Sequence, residues 1–418
     1  MNSNIDVIIV GAGLAGLTCA DHLSTHGLRC RLFEASDRVG GRIATDVRSG
    51  FRLDRGFQVF LTAYPEARRE FDYRNLELKR FDPGALIRYG GSFHRFSDPW
   101  RRPQHALATA FSPVATLADK LRLAKFRRDA VRFSMEQIYH RPETTTIEML
   151  RRRGFSDTII QRFFRPFFGG VFLENHLNTS SRMCEFVFRM FSPGDAALPA
   201  KGMEQLPLQL ASRLEKSVIN LNCPIQSASQ TGVVTSAGEH YQSRAIVIAT
   251  EGPTASQLLG TTPLAPARSV RCIYFATEKA PIREPILVLN GDDSGPINNL
   301  CVPSVVSKDY APAGKSLVSV TVTQETDEAA ETLLTRVRSQ LNDWFGPSAS
   351  EWEHLHTYHI KYALPSQKPP ALEPVEKPTK IRQGIFVCGD HCDTASINGA
   401  IAAGRRAAIA AQTFCEAN

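Results

Sequence analysis

Three glycines near the amino terminus are spaced as a nucleotide-binding turn requires. Gly11, Gly13 and Gly16 follow the apolar run 6–10, and the segment 17–26 after them has helical periodicity. In such a turn the first glycine permits a tight bend and the second lets a diphosphate approach the backbone, while the third lets the helix pack closely on the strand. The free N–H groups at the start of the helix then face the phosphates.

An acidic residue completes this pattern. A second strand is predicted over residues 28–33, and Glu34 closes it, 21 residues after Gly13. A carboxylate at this place accepts hydrogen bonds from ribose hydroxyls and disfavours a 2′-phosphate. Because strand, glycines, helix, strand and acid occur in the required order, the sequence predicts dinucleotide binding on a parallel sheet. The motif alone does not separate NAD from FAD.

The composition excludes several classes of protein. The chain has 418 residues, of which 43% are hydrophobic and 22% charged, as in an ordinary soluble protein of two or three globular units. No window reaches the roughly 18 uncharged apolar residues of a spanning helix, and the start of the chain does not have the pattern of a signal peptide. Nine cysteines without framework spacing favour reduced thiols, so we expect a cytoplasmic protein.

The positive charge is concentrated in residues 101–182, which hold 15 Lys and Arg against 7 Asp and Glu. Within this region, 117–133 is predicted to be an amphipathic helix. One side of this helix carries Leu117, Leu121, Ala124 and Val131. Another side carries Lys120, Lys125, Arg127 and Arg128. Two interpretations stay open: a solvated helix, or a basic face that rests on anionic lipid at the inner face of a membrane. We expect no nucleic-acid partner, because the sequence has no DNA-reading motif.

The residues after Glu34 resemble the flavin-containing amine oxidase and phytoene desaturase superfamily. Segment 35–43 reads Ala-Ser-Asp-Arg-Val-Gly-Gly-Arg-Ile, and members of that superfamily carry an arginine and then Gly-Gly-Arg just after the second strand. The resemblance implies that this segment folds over the pyrophosphate of a non-covalently bound FAD, with its arginines on phosphate or ribityl oxygens. The FAD contacts expected here are Gly11, Gly13, Leu14, Ala15, Gly16, Glu34, Ala35, Arg38, Gly40, Gly41 and Arg42.

The carboxy-terminal part resembles the second flavin signature of the same superfamily. A buried strand over 384–388 ends in Gly389-Asp390, and an Ala-rich helix follows from Ser396 to about Phe414. The resemblance implies that the acid holds a ribityl hydroxyl and that the helix amino terminus points at the flavin, where it stabilises negative charge. The expected contacts are Gly389, Asp390, Ser396, Ile397 and Ala400.

Three internal segments also resemble the family. Residues 53–60 look like the segment that passes the isoalloxazine ring, and 245–250 look like the internal strand whose turn encloses the cofactor. Residues 219–225 lie where the family sends a strand past the adenine. The cofactor contacts expected from these segments are Gln58, Thr250 and Ile225.

The resemblance implies an α/β protein with two interleaved domains. A Rossmann-like FAD-binding domain would comprise residues 1–66, 200–260 and 375–418. An α+β substrate domain would comprise a helical cap, 67–199, and an antiparallel sheet, 261–374, whose strand-like runs favour that arrangement.

The expected chemistry is transfer of hydride from a substrate to flavin N5, with O2 or a quinone removing the electrons. Amine oxidases of the superfamily usually place an aromatic residue shortly after the Gly-acid pair, where this chain has His391, Cys392, Asp393 and Thr394. The pattern 396–400 looks more like carotenoid-type desaturases, and the Phe-rich run 163–172 would supply an apolar wall or simply cap core. The leading hypothesis is therefore a desaturase or isomerase of a lipophilic, polyene-like small molecule. The alternatives are a flavin amine oxidase and a non-catalytic flavoprotein or lipid-binding protein.

The sequence points only weakly to catalytic groups. Lys361 precedes a Tyr-Ala-Leu-Pro segment that resembles a family segment near the flavin, and Gln58 is the other weak candidate. His354 and His356 would share one face of a strand, but no acid or cysteine completes a ligand set, so we expect no metal.

Overall fold

A computed structural model of the protein describes residues 5–261, 267–323 and 328–417. Its strands are β1 (Ile5–Val10), β2 (Cys30–Phe33), β3 (Thr45–Arg48), β4 (Phe51–Asp54), β5 (Phe60–Leu61), β6 (Lys79–Arg80), β7 (Gly84–Tyr89), β8 (Ser92–Ser97), β9 (Ala196–Leu198), β10 (Ile219–Asn220), β11 (Ile225–Ala228), β12 (Gly232–Thr235), β13 (His240–Ile248), β14 (Ala267–Thr277), β15 (Leu287–Asn290), β16 (Asn299–Cys301), β17 (Ser316–Val322), β18 (Glu353–Pro365), β19 (Lys380–Arg382) and β20 (Ile385–Val387). Its helices are α1 (Leu14–Thr25), α2 (Pro65–Glu70), α3 (Ala106–Phe111), α4 (Leu117–Arg132), α5 (Met135–Tyr139), α6 (Thr146–Arg152), α7 (Asp157–Ile159), α8 (Arg165–Phe172), α9 (Ser181–Phe191), α10 (Gln205–Ala211), α11 (Gly252–Leu259), α12 (Pro303–Val306), α13 (Ala330–Phe345) and α14 (Ile397–Ala417).

A sheet with a parallel centre, in the strand order β10-β2-β1-β13-β20, forms the first layer. Its strands come from all three segments expected to form the cofactor domain. Val10 pairs with both Phe33 and Ile248, and Ile248 pairs with Val387, so the carboxyl ends of four strands are aligned. Ligands of open α/β sheets bind at this edge, so the residues that follow these strands are candidates for the binding site.

A second sheet has the order β18-β14-β17-β16-β15-β7-β8 and is antiparallel except between β15 and β7. The antiparallel sheet predicted over 261–374 is therefore present in the described residues. The prediction that 67–199 is helical is wrong for β7 and β8, which form a hairpin and join this sheet. Gly90 and Gly91, both with positive φ, make the two-residue turn, and such a turn favours a hairpin.

Helices α3 to α9 form most of the remainder of 67–199. The amphipathic helix predicted over 117–133 is confirmed as α4. Its predicted apolar side, however, does not pack against the rest of the protein. Phe126 and Ala130 are buried, whereas Leu117 and Leu121 are exposed. No helix among the described residues is long and apolar enough to cross a membrane.

Candidate functional site

The first part of the site is the glycine turn between β1 and α1. Gly11 has φ +107°, and a Cβ there would lie 2.9 Å from the Ala249 carbonyl oxygen. A Cβ on Gly16 would lie 1.9 Å from the Gly11 carbonyl oxygen. Both positions therefore require glycine, the first for the turn and the second for the close packing of helix on strand. Leu14 and Ala15 are the buried first residues of α1.

A second glycine segment lies directly beside this turn. Gly13 and Gly40 form an isolated parallel bridge, and the Gly40 N–H donates to the Ala12 carbonyl at 2.8 Å. A Cβ added to Gly13 would meet nothing within 4 Å, and one added to Gly41 would come no closer than 3.5 Å to any atom, the Gly13 Cα. Gly13 therefore faces open space, and a Cβ on Gly41 would be in ordinary van der Waals contact with Gly13.

Glu34 holds the turn in place from the end of β2. One carboxylate oxygen accepts from the Ala12 N–H at 2.7 Å, and the other accepts from the Ser36 N–H at 2.9 Å. The exposed Ala35 lies between these contacts. The Cys223 N–H donates to the Glu34 carbonyl at 2.8 Å, which brings Ile225, at the start of β11, to this end of the site.

Arg42 joins the amino-terminal and carboxy-terminal parts of the site. Its Nη2 lies 2.7 Å from Oδ1 of Asp390, and its Nη1 donates to the Ala363 carbonyl at 2.9 Å. Gln58 donates from Nε2 to the Arg42 carbonyl at 3.0 Å, so it supports the arginine backbone. Arg38 instead pairs with Asp46 at 2.9 Å and is only half-buried.

The helix that follows Asp390 is fixed by its first turn and by α1. Ser396 Oγ accepts from the Gly399 N–H at 3.0 Å, as a helix cap does. A Cβ on Gly404 would lie 2.3 Å from the Ala15 carbonyl oxygen, so α14 and α1 are in backbone contact there. Ile397 and Ala400 are half-buried on the same first turns.

The two strand-end residues complete the edge of the sheet. Thr250 follows β13, and its N–H nitrogen lies 3.2 Å from the position of a Gly11 Cβ. Gly389 follows β20 with φ +146°, and a Cβ there would lie 3.5 Å from the Thr250 carbonyl oxygen. Gly11, Thr250 and Gly389 therefore meet at the aligned carboxyl ends of β1, β13 and β20.

A cavity of ≈ 210 Å³ contains the salt bridge between Arg42 and Asp390. Lys361 and Gln58 do not line it, and Lys361 is exposed on β18. Sequence reasoning missed Glu251 and Gln367, although Glu251 directly follows the predicted strand end. The lining residues are Arg42, Glu251, Gly252, Pro253, Ala267, Tyr362, Leu364, Pro365, Ser366, Gln367, Ala371, Lys377, Asp390 and His391.

The charges in this cavity are coupled. Burial opposes the charge of Arg42, but Asp390 and Glu251 outweigh it, and the pKa of Arg42 is raised. Burial raises the pKa of Glu251, against the attraction of Arg42. Burial also lowers the pKa of His391, and both of its ring nitrogens are buried without a hydrogen-bond partner among the described residues. A buried imidazole with two unpaired nitrogens indicates room for a polar ligand.

These residues fit a flavin dinucleotide. The open space in front of Gly13 suits a diphosphate, which the start of α1 and the guanidinium of Arg42 would hold. Glu34 and Asp390 would bind sugar hydroxyls, and His391, with its two unpaired nitrogens, lines the same cavity as Asp390.

The comparisons with known proteins agree with this arrangement. The sequence profile of the family described as flavin containing amine oxidoreductase matches residues 14–411. Coproporphyrinogen III oxidase of Propionibacterium freudenreichii subsp. freudenreichii is 26% identical over 178 residues, 41% of this chain and 32% of that protein. Phytoene dehydrogenase of Streptomyces griseus is 25% identical over 300 residues, 62% of this chain and 57% of that protein. The matches thus span about a third and just over half of the two relatives.

The fold also agrees with that of a solved structure. Wild-type putrescine oxidase bound to putrescine superposes with a TM-score of 0.72 at 17% identity, over 98% of this chain and 99% of that one. This is the fold of FAD-dependent amine oxidases. The chain belongs to the flavin-containing amine oxidoreductase family. As a member of this family it is an FAD-dependent oxidoreductase.

Proposed function

We propose that this oxidoreductase dehydrogenates a lipophilic, polyene-like substrate and is re-oxidised by O2 or a quinone, or that it isomerises such a substrate with no net transfer of electrons. The observation that carries the proposal is a half-buried aromatic row in the cap. Phe163 and Phe167 stack with their ring centroids 5.4 Å apart, and Phe191 meets Phe167 at 5.3 Å. These rings are only partly covered by the protein. A partly uncovered aromatic row suits contact with an extended apolar ligand.

The neighbouring phenylalanines of the same run have a different role. Phe164, Phe168 and Phe172 are buried and stack along the adjacent side, so they are cap core. The two interpretations of the run 163–172 therefore apply to different faces of one helical segment. Only the face of Phe163 and Phe167 supports the proposal.

Two further features support a polyene. The residue after the Gly389-Asp390 pair is His391 rather than the aromatic wall of an amine cage. One of the relatives, matched over 300 residues, is a phytoene dehydrogenase.

The roles of the chain's own residues follow from the geometry. FAD, when bound, supplies the hydride-accepting chemistry. Arg42 would hold the diphosphate, Asp390 would orient the sugar-alcohol chain, and the amino terminus of α14 would place a positive dipole end near the flavin. Burial lowers the pKa of His391 and so favours its neutral form. Its two ring nitrogens, unpartnered among the described residues, could then donate one hydrogen bond to a bound group and accept another from it.

An amine substrate is the second candidate, and one observation favours it. The cavity contains the carboxylate of Glu251, which could pair with an alkylammonium group. The family description and the putrescine oxidase fold agree with this candidate as well. The positive charge of Arg42, however, already attracts the Glu251 carboxylate, and burial raises the pKa of Glu251.

Anaerobic mixing distinguishes the two candidates. Detergent-solubilised polyenes and primary amines would be added separately, and the flavin absorbance near ~450 nm would be followed, because it bleaches only with a true reductant. The proposal expects bleaching with a polyene, slower bleaching in Phe167→Ser and normal bleaching in Glu251→Gln. Bleaching by an amine alone, lost in Glu251→Gln, would replace the proposal with the amine candidate.

We further propose that the protein acts in the cytoplasm, at the inner face of a membrane, through its basic region 101–182. A membrane location is suited to a substrate that dissolves in lipid.

A further inference from the structure

Helices α3 and α4 display large apolar side chains to solvent. Leu107 is 74% exposed, Phe111 85%, Leu117 72% and Leu121 67%. Leu107 and Phe111 are four residues apart on α3, and Leu117 and Leu121 are four apart on α4, so each pair shares one helix face. Adjacent exposed apolar side chains of this size mark an interaction surface rather than ordinary scatter.

This display is fixed by the fold. Lys120 donates from Nζ to the carbonyls of Ala110 at 2.7 Å and Ser112 at 3.0 Å, which ties the start of α4 to the end of α3. A capping box between Thr116 and Asp119 starts α4. The opposite side of α4 is anchored by Phe126, which stacks on Phe188 with 4.4 Å between ring centroids. The exposed pairs are therefore held outward by a packed helix.

The charges of α4 are segregated in the same direction. Both of its acidic residues point inward: Asp119 is buried and accepts from Ser156 at 2.6 Å, and Asp129 lies 3.5 Å from Arg153. The bases Lys125, Arg128 and Arg132 are exposed. Lys125 and Arg128 lie one and two turns beyond Leu121 on its side of the helix. The outward side of α4 thus passes from apolar to basic.

A tryptophan flanks this surface. Trp100 is 59% exposed, and the guanidinium of Arg127 lies 5.0 Å from its ring centroid. The other two tryptophans, Trp344 and Trp352, are buried. Tryptophan is the side chain most at home at the boundary between lipid headgroups and acyl chains.

We propose that these residues form a lipid-docking surface for an anionic bilayer. It is defined by Trp100, Leu107, Phe111, Leu117, Leu121, Lys125, Arg128 and Arg132. The leucines and Phe111 would enter the interface, while the three bases would bind acidic headgroups. A second copy of the chain is a poorer occupant, because a self-association would bring like charges together. The inference deepens the proposed membrane location and rests on it.

Vesicle flotation tests the surface directly. The FAD-loaded protein would be mixed with vesicles of phosphatidylcholine alone, or with about a third phosphatidylglycerol, and the floating fraction would be compared. The proposal expects flotation mainly with the acidic vesicles and its loss at high salt, because surface charge is screened. Flotation with neither vesicle would overturn it.

Matched variants separate the two parts of the surface. The double variant Leu107→Ser/Phe111→Ser should lose binding to acidic vesicles about 10-fold or more, because two inserted side chains are removed. The variant Lys125→Glu/Arg128→Glu should lose the preference for acidic lipid. Ile409→Ser, an exposed apolar site on α14, is the control and should float as the wild type does. An equal loss in the control, or none in the double variant, would contradict the proposal.

Fluorescence adds a second readout. Brominated acyl chains should quench the emission of Trp100, and the quenching should vanish in Trp100→Phe. If the protein instead sediments as a dimer that Phe111→Ser dissociates, the surface binds a second copy and the lipid assignment is wrong. The anaerobic assay uses detergent-solubilised substrate, so failure of lipid docking leaves its result intact, and the reverse also holds.

Discussion

Arg42 and Asp390 form a salt bridge with 2.7 Å between Nη2 and Oδ1, although 348 residues separate them in the chain. Arg42 belongs to the Gly-Gly-Arg segment and Asp390 to the Gly-acid pair at the end of β20. The contact therefore brings the two flavin motifs into one site. It also means that either side chain affects how the other is held.

Removing this guanidinium should release the cofactor. Arg42→Ala loses charge-assisted hydrogen bonds of about 1.5–3 kcal/mol, so FAD should bind about 10- to 100-fold more weakly. The ratio of flavin to protein absorbance after dialysis, with an FAD titration, measures the effect. Lys216→Ala, an exposed site on the same domain, is the control, and equal FAD retention in both variants would remove Arg42 from the site.

Two glycines of one turn should respond differently to the same methyl group. In Gly16→Ala the new Cβ would lie 1.9 Å from the Gly11 carbonyl oxygen, so we expect a loss of stability of about 1–3 kcal/mol or more. In Gly13→Ala the Cβ meets nothing within 4 Å, so unfolding should be unchanged while FAD binding weakens. Urea unfolding of the apoproteins and FAD titration measure the two effects. Similar behaviour of both variants in both assays would contradict the assigned roles.

Glu34 is expected to act on FAD through its carboxylate. Glu34→Ala removes acceptors for the Ala12 and Ser36 N–H groups as well as for ribose, so FAD occupancy after dialysis should fall. Glu34→Gln keeps the side-chain shape and one acceptor oxygen, and it should retain more FAD. Unchanged occupancy in Glu34→Ala would exclude Glu34 from the site.

The raised pKa of Asp54 should be visible in the pH dependence of the free energy of unfolding. Burial raises its pKa to about 6, although Thr45, Tyr310 and the Met203 N–H donate to it. Between about pH 4 and pH 6 the folded wild type keeps a proton that the unfolded chain releases, so its stability falls as pH rises. The stability of Asp54→Asn relative to the wild type should therefore increase by up to about 3 kcal/mol across this window.

A second aspartate, Asp46, should change stability with pH in the opposite direction, and it serves as the control. Burial of Asp46 is outweighed by hydrogen bonds from Arg55 and Tyr358, which lower its pKa. Its contribution to stability is present above its unfolded pKa of about 3.9 and is lost as the pH falls below that value. Asp46→Asn should thus be most destabilising at neutral pH. Parallel pH trends in both variants, measured by urea unfolding, would contradict these assignments.

The cofactor edge was predictable because its signals are contiguous in sequence. The strand and glycine turn of the run 5–16, and the acid Glu34 at the end of the next strand, are recognisable from residue types and spacing alone. The hairpin β7–β8 was missed, although its Gly90-Gly91 turn is a local signal, because the surrounding segment reads as helical. The pairing of Arg42 with Asp390, the exposure of Lys361 and the outward direction of Leu117 depend on tertiary packing. Residue types and spacing contain no direct record of such packing.

The backbone contact between Gly404 and Ala15 has a consequence for synthesis of the protein. Helix α1 is translated well before α14, the helix that covers it, because the two lie at residues 14–25 and 397–417. Until those residues are translated, an apolar side of the nascent chain stays uncovered and open to chaperones. Cofactor loading should therefore follow the translation of α14 rather than that of α1.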